Sequence, residues 1–289
     1  MSKVFLIIIF SFVFLNANNI KVIPPKSEFD TIHDYYFKLL KKVLKLTESK
    51  YGKANILFSK KMEQGRALVY LKEGKFIDIH WAGTSKKREK ELKAIKIPLF
   101  KGLLGFRKLI IHKDNIEKFN EVNTLEDLKK YKACQGTHWP DTKILENAKI
   151  KVVKNTNYEA MFYQIKSKRC DFFPRAIFEA NPEVESRKDI LPQLMVYKNL
   201  ALVYEFPMYF FVSKKNINLY KRIKEGLTIM LETKELDKFM MNHEITRHIF
   251  PIEEKINVKS FKLDNPYINK NKITDDIFGL QNKKGYLNE

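Results

Sequence analysis

The stretch Asn55-Ile56-Leu57-Phe58, followed by Glu63–Lys72 with Gly74 behind it and then Phe76-Ile77-Asp78-Ile79-His80, decides the fold. Its first and last pieces are short apolar runs of strand length. The middle piece spaces its apolar residues for a helix and ends at a glycine, the residue best able to close one. Upstream, Asn19–Ile23 reads as a strand stopped by Pro24 and Pro25, and Asp30 or Thr31 is placed to cap a helix reaching about Ser49. That helix carries one apolar face, made of Ile32, Tyr35, Tyr36, Leu39, Leu40, Val43 and Leu44. The order is β-α-β-α-β, which yields a mostly parallel sheet covered by helices.

Downstream, Lys86–Ala94 reads as a charged helix, Pro98 breaks the chain, and Leu103–His112 reads as a long strand. A second alternation then begins. Thr124 and Asp127 form a capping-box start for a helix to Tyr131, Lys132–Gln135 is a strand, and Gly136–Asp141 leads into a helix over Thr142–Ala148. Lys151–Val153 and Cys170–Phe173 read as strands around a helix over Tyr158–Lys166. Met208–Val212 is strongly β-like, Ile217–Leu231 and Glu235–Asn242 are helical, and the tail after Phe250 is polar and irregular. One α/β unit is thus inserted into another. The expected division is 18–112 with 208–289 as lobe one and 113–207 as lobe two, joined by two hinge strands. Strand ends of both lobes then face a shared cleft, the usual binding place on open α/β sheets.

Residues 1–17 read as a secretory signal peptide: Met1–Lys3 is basic, Val4–Leu15 is apolar, and small residues surround Ala17. The alternative is an uncleaved N-terminal anchor. No later run approaches the roughly 20 apolar residues of a membrane span, so the expectation is a soluble, periplasmic protein. The 54 Lys and Arg against 34 Asp and Glu give a formal charge of +20. These cations are spread through every segment, which excludes a nucleic-acid stripe and leaves a bias toward anionic ligands or surfaces. Cys134 and Cys170 sit at strand edges. In an oxidising compartment they form either one bridge or two separate buried thiols.

Motifs for chemistry are missing. His243-Glu244 has its next histidine at His248, off the face a zinc-protease helix needs, and no phosphate loop, nucleophile elbow or Cys-x-x-Cys occurs. No cofactor or metal is expected, and no catalytic residue.

Gly74–Asp78, Gly83-Thr84-Ser85-Lys86-Lys87-Arg88-Glu89 leading to Ile97-Pro98-Leu99, Gln135-Gly136-Thr137 and Lys168–Asp171 occur in one order and spacing. In these residues, over nearly all of the mature chain, the sequence resembles the extracellular solute-binding proteins of family 3, the polar amino-acid type. The resemblance implies a two-lobed type II periplasmic-binding fold. It further implies a receptor that passes a small-molecule solute to an ABC permease, acting as a monomer without covalent chemistry. A sensor subunit docking on a membrane signalling protein, or a dehydratase-like enzyme, are the alternatives.

The resemblance also assigns residues. Arg88 takes the place of the guanidinium that grips a ligand carboxylate, with Ser85 as hydroxyl donor and Thr84 beside it. A planar guanidinium suits that bidentate task. Gly136, Thr137, His138 and Trp139 stand where backbone donors at a helix start meet a ligand. Asp171 matches a structural aspartate. Arg175 stands where an ammonium receptor is expected, so Arg88 and Arg175 together imply an anionic solute such as a dicarboxylate, with Glu179 as an alternative ammonium partner. Trp81, Tyr158 and Phe173 are candidates for the apolar walls, and Gln64 and Arg66 are placed to reach the cleft.

Overall fold

The first long helix, His33–Leu46, buries Tyr35, Tyr36, Leu39, Leu40, Val43 and Leu44, so the apolar stripe read from its spacing faces the core. In the computed structural model, residues 18–268 are described. The signal-peptide expectation for 1–17 lies outside the described residues. Asp30, expected to cap this helix, instead accepts the Lys26 backbone N–H at 2.9 Å. The helix starts without a side-chain cap.

Eleven strands are present among the described residues. In chain order they are β1 Asn18–Val22, β2 Ala54–Phe58, β3 Ile79–Gly83, β4 Lys93–Ile95, β5 Phe106–His112 and β6 Lys132–Gly136. They continue with β7 Lys151–Asn155, β8 Phe172–Ala176, β9 Leu194–Val203, β10 Met208–Val212 and β11 Lys259–Lys262. Three sheets result, ordered β1-β2, β3-β10-β4 and β11-β9-β5-β8-β6-β7. The pairs β1–β2, β6–β7, β6–β8 and β9–β11 are parallel. Every antiparallel pair involves β5 or β10. Helices flank these sheets, giving the expected α/β architecture.

Four details differ from the sequence reading. Phe76 adopts φ 62° two residues after Gly74 at φ 72°, so the turn consumes the start of the expected strand and β3 moves on to Ile79–Gly83. The helix after Ser85 ends at Glu91, and Lys93–Ile95 pairs with β10 as a strand because Ala94 and Ile95 are buried there. Strand β9 was not expected. Lys198 and Asn199 interrupt its apolar pattern, and at that point the β5–β9 register shifts, with Lys108 opposite Ala201 but Leu109 opposite Tyr197. Lastly, the tail after Phe250 contributes a short helix, Ile252–Ile256, and β11.

Cys134 of β6 and Cys170, just before β8, form a disulfide with their Cα atoms 5.6 Å apart. The bridge ties together two strands that share little ladder. Phe100 and Phe178, far apart in sequence, stack their rings with centroids 3.8 Å apart.

Candidate ligand cleft

Strand β3 delivers the chain to Ser85, whose Oγ accepts the Arg88 N–H at 3.2 Å and starts the helix Lys86–Glu91. That cap turns Arg88 inward, where it is only 7% exposed. Its guanidinium donates to Gly83 O at 2.5 Å, Gln64 Oε1 at 2.6 Å and His138 O at 2.9 Å. All three acceptors are neutral. Burial without a carboxylate partner lowers its pKa to about 10, which leaves it a cation at neutral pH. Thr84 Oγ1 donates to Glu89 Oε1 at 2.9 Å. Thr84 and Ser85 thus build the helix start that positions Arg88, and neither lines the cavity.

On the opposite side β6 ends at Gly136, where a Cβ would lie 2.5 Å from the Trp139 indole. Only glycine lets that ring fold back over the strand end. The Thr137 N–H donates to Asn155 O and the Trp139 N–H to Gly136 O, so these backbone donors are already used within the chain. Pro140 then opens the helix Pro140–Asn147, and its neighbour Asp141 is buried beside Arg107. Asp141 Oδ2 accepts from Arg107 Nη2 and from Gln135 Nε2, whereas Asp141 Oδ1 has no partner.

Strand β8 and the helix Ile177–Glu185 carry the third group. Arg175 donates to both oxygens of Glu183, at 2.7 and 2.6 Å, and lies 3.0 Å from Glu179 Oε2. Its guanidinium also lies over Trp139 and Phe173, 5.0 and 5.2 Å from the ring centres. The Tyr158 hydroxyl donates to Glu183 Oε1 at 2.6 Å, so Tyr158 braces this pair from behind. Burial pushes the Glu179 carboxyl above its ordinary pKa, opposed by Arg175 and Arg107, while the surrounding carboxylates hold Arg175 well above the usual arginine value.

These elements enclose a cavity of ≈ 60 Å³ lined from one side by Lys26, Asp30, Tyr36, Gln64, Trp81 and Arg88 and from the other by Arg107, Trp139, Asp141, Arg175 and Glu179. Ligand pockets commonly measure roughly 300–1,000 Å³, so the walls lie close together and must part to admit a solute. Of the residues singled out from the sequence, Gln64, Trp81, Arg88, Trp139, Arg175 and Glu179 meet here. Arg66, Thr84, Ser85, Gly136, Thr137, His138, Tyr158 and Phe173 do not line the cavity, although His138 reaches Arg88 through its carbonyl.

Sequence reasoning passed over Lys26, Asp30, Tyr36, His80, Arg107 and Asp141. One signal was available: Arg107 lies two residues before the apolar run Leu109–Ile111 and on the same strand face as Leu109, and a charge on a buried face is kept only if paired. His80 gives no sequence signal, yet it lies buried against Trp81 with both ring nitrogens unpartnered. Desolvation lowers its pKa to about 3.

No family model matches the chain, and no curated protein is significantly similar to it. Solved structures do match. An ancestral arginine-binding protein bound to arginine superposes with a TM-score of 0.55 at 22% identity, covering 77% of this chain and 96% of its own. A Salmonella typhimurium periplasmic binding protein of high arginine specificity gives 0.57 at 15% identity, covering 78% and 98%. An ancestral amino acid-binding protein, described as a precursor of cyclohexadienyl dehydratase, gives 0.52 at 18% identity, covering 71% and 82%. The architecture and these superpositions agree on one conclusion: the chain has the two-lobed type II periplasmic-binding fold.

Proposed function

We propose that this chain is a periplasmic solute-binding protein that closes its two lobes over a small charged solute and delivers it to an ABC permease. It acts by binding alone. The observation that carries the reading is Arg88: a buried guanidinium that lines the interlobe cavity and bonds only to neutral oxygens. A buried cation of that kind is an incomplete electrostatic site, since burial of charge is repaid only by an opposite charge with good hydrogen bonds. A solute carboxylate supplies both.

Closure follows from the same geometry. Arg88 comes from one lobe and Trp139 from the other, and both line the cavity, so a ligand gripped by both stabilises only the closed arrangement. The fold neighbours support the reading, because two of the three superposed proteins carry arginine in their descriptions and the third is an amino acid-binding protein. Among the described residues no helix is long and apolar enough to cross a membrane. A sensor partner would use the same cleft, and delivery to the permease is distinguished from it by solute uptake in reconstituted vesicles.

The test is calorimetry with a panel of amino acids and dicarboxylates, repeated on Arg88→Ala. Saturable binding that Arg88→Ala abolishes, with the circular dichroism spectrum unchanged, is the expected result. Unchanged affinity removes Arg88 from the site.

A further inference from the structure

The cavity wall can be sorted by which charges are already answered. It holds four cations, Lys26, Arg88, Arg107 and Arg175, and three carboxylates, Asp30, Asp141 and Glu179. Arg107 is paired with Asp141 and Glu179, and Arg175 with Glu179 and Glu183. Two cations remain. Arg88 meets only neutral oxygens, as described above. The Lys26 ammonium makes no hydrogen bond or ion pair among the described residues; it rests on ring faces, 4.8 Å from the centre of Tyr158 and 5.7 Å from that of Trp139. Aromatic faces attract an ammonium but satisfy none of its three N–H donors.

The carboxylates show a complementary remainder. Asp141 Oδ1 and Asp30 Oδ1 are buried without a donor, and both residues line the cavity. A buried acceptor left unmet costs free energy. The residues of the wall therefore include two unanswered positive groups and two buried acceptors without a donor.

The position of Lys26 is fixed from both sides. Its own N–H donates to Asp30 Oδ2, and the adjacent Ser27 hydroxyl donates to Glu159 Oε1 of the other half. The side chain is thus carried across the cleft by a segment that follows the stiff Pro24-Pro25 pair.

We infer that the cleft is shaped for a solute bearing one ammonium and two carboxylates, an acidic amino acid, with Arg88 taking one carboxylate, Lys26 the other, and the unpartnered aspartate oxygens the ammonium. The inference rests on the solute-binding reading above and narrows it. Lys26 is then the residue that selects the second acidic group. The strongly positive charge of the whole chain favours approach of such an anion.

Isothermal titration calorimetry on the full exported chain tests this with L-glutamate, L-aspartate, L-glutamine, L-arginine and succinate. Glutamate or aspartate should bind at least about tenfold tighter than glutamine, arginine or succinate, the worth of one charge-assisted contact. Lys26→Met should cost the acidic amino acid about tenfold or more while changing glutamine less than about threefold. Lys26 is only half-buried, so both variants should fold; Lys26→Glu should move the preference toward arginine. Tighter binding of glutamine or arginine by the unaltered chain, or an equal loss for all ligands in Lys26→Met, overturns the assignment while leaving the solute-binding reading intact. Heat from none of the five, with none from any other amino acid or dicarboxylate, overturns that reading and this inference with it.

Discussion

Arg88 and Arg175 line the same cavity and are both buried, yet they live in opposite electrostatic surroundings. Arg175 is held by two oxygens of Glu183 and one of Glu179. Arg88 is held by two backbone carbonyls and the side-chain oxygen of Gln64. The difference teaches that residue type and burial do not identify a ligand-binding arginine. What identifies it is the shortage of negative charge around it. The Arg175 cluster is a finished structural unit; the Arg88 site is finished only by something from outside.

The largest expected effect lies on the finished side. Arg175→Met strands Glu183 as a buried carboxylate without a cation and leaves Glu179 to Arg107 alone, and should destabilise the protein by about 3–5 kcal/mol, seen as a large fall in the thermal midpoint. Adding Glu183→Leu should recover much of that loss, because a buried pair replaced whole by apolar groups is often nearly neutral. A mild effect of Arg175→Met on stability would break the comparison.

Arg88→Met should show the reverse balance. Stability should change by no more than about 1–2 kcal/mol, the cost of the neutral acceptors it abandons, while solute affinity should fall by at least about thirtyfold, roughly 2 kcal/mol. A stability loss as large as that of Arg175→Met would place both arginines in one class.

The smallest expected effect is on pH dependence, where the two sides oppose each other. His80, near Arg88, has its pKa lowered to about 3. Between there and its ordinary value of 6.5 the unfolded chain holds more protons, so stability falls as pH drops through this window. Glu179, beside Arg175, has its pKa raised. From its ordinary value upward the folded chain holds more protons, so its contribution declines as pH rises through the folded pKa. Denaturation midpoints between pH 3 and 6.5 should therefore change less with acidification in His80→Phe than in the unaltered chain. An unchanged slope would mean that His80 is not a buried neutral ring.

Much of the framework was legible in the sequence. The seven-residue apolar face of the first helix, the two alternations and the β-rich Met208–Val212 each follow from one periodicity and need no knowledge of their partners. Arg88 was found through a motif, and its inward turn follows from Ser85 capping the helix. The charge pairing was not legible, because Arg107 meets Asp141 and Glu179 from 34 and 72 positions away. Lys26 follows two prolines in a polar loop, where a solvated side chain is the ordinary fate. Its placement depends on the opposite half, which supplies Trp139 and Tyr158. Strand β9 was hidden by Lys198-Asn199, a polar pair that local pattern treats as a break and the sheet accommodates as a shift in register.

Gly105 directly precedes β5, and Tyr204 directly follows β9. The Tyr204 N–H donates to Gly105 O, and a Cβ on Gly105 would fall 1.8 Å from the Tyr204 carbonyl oxygen. The two backbones therefore touch with no side chain between them. Any side chain at position 105 would pry these two backbones apart at the point where β5 begins and β9 has just ended.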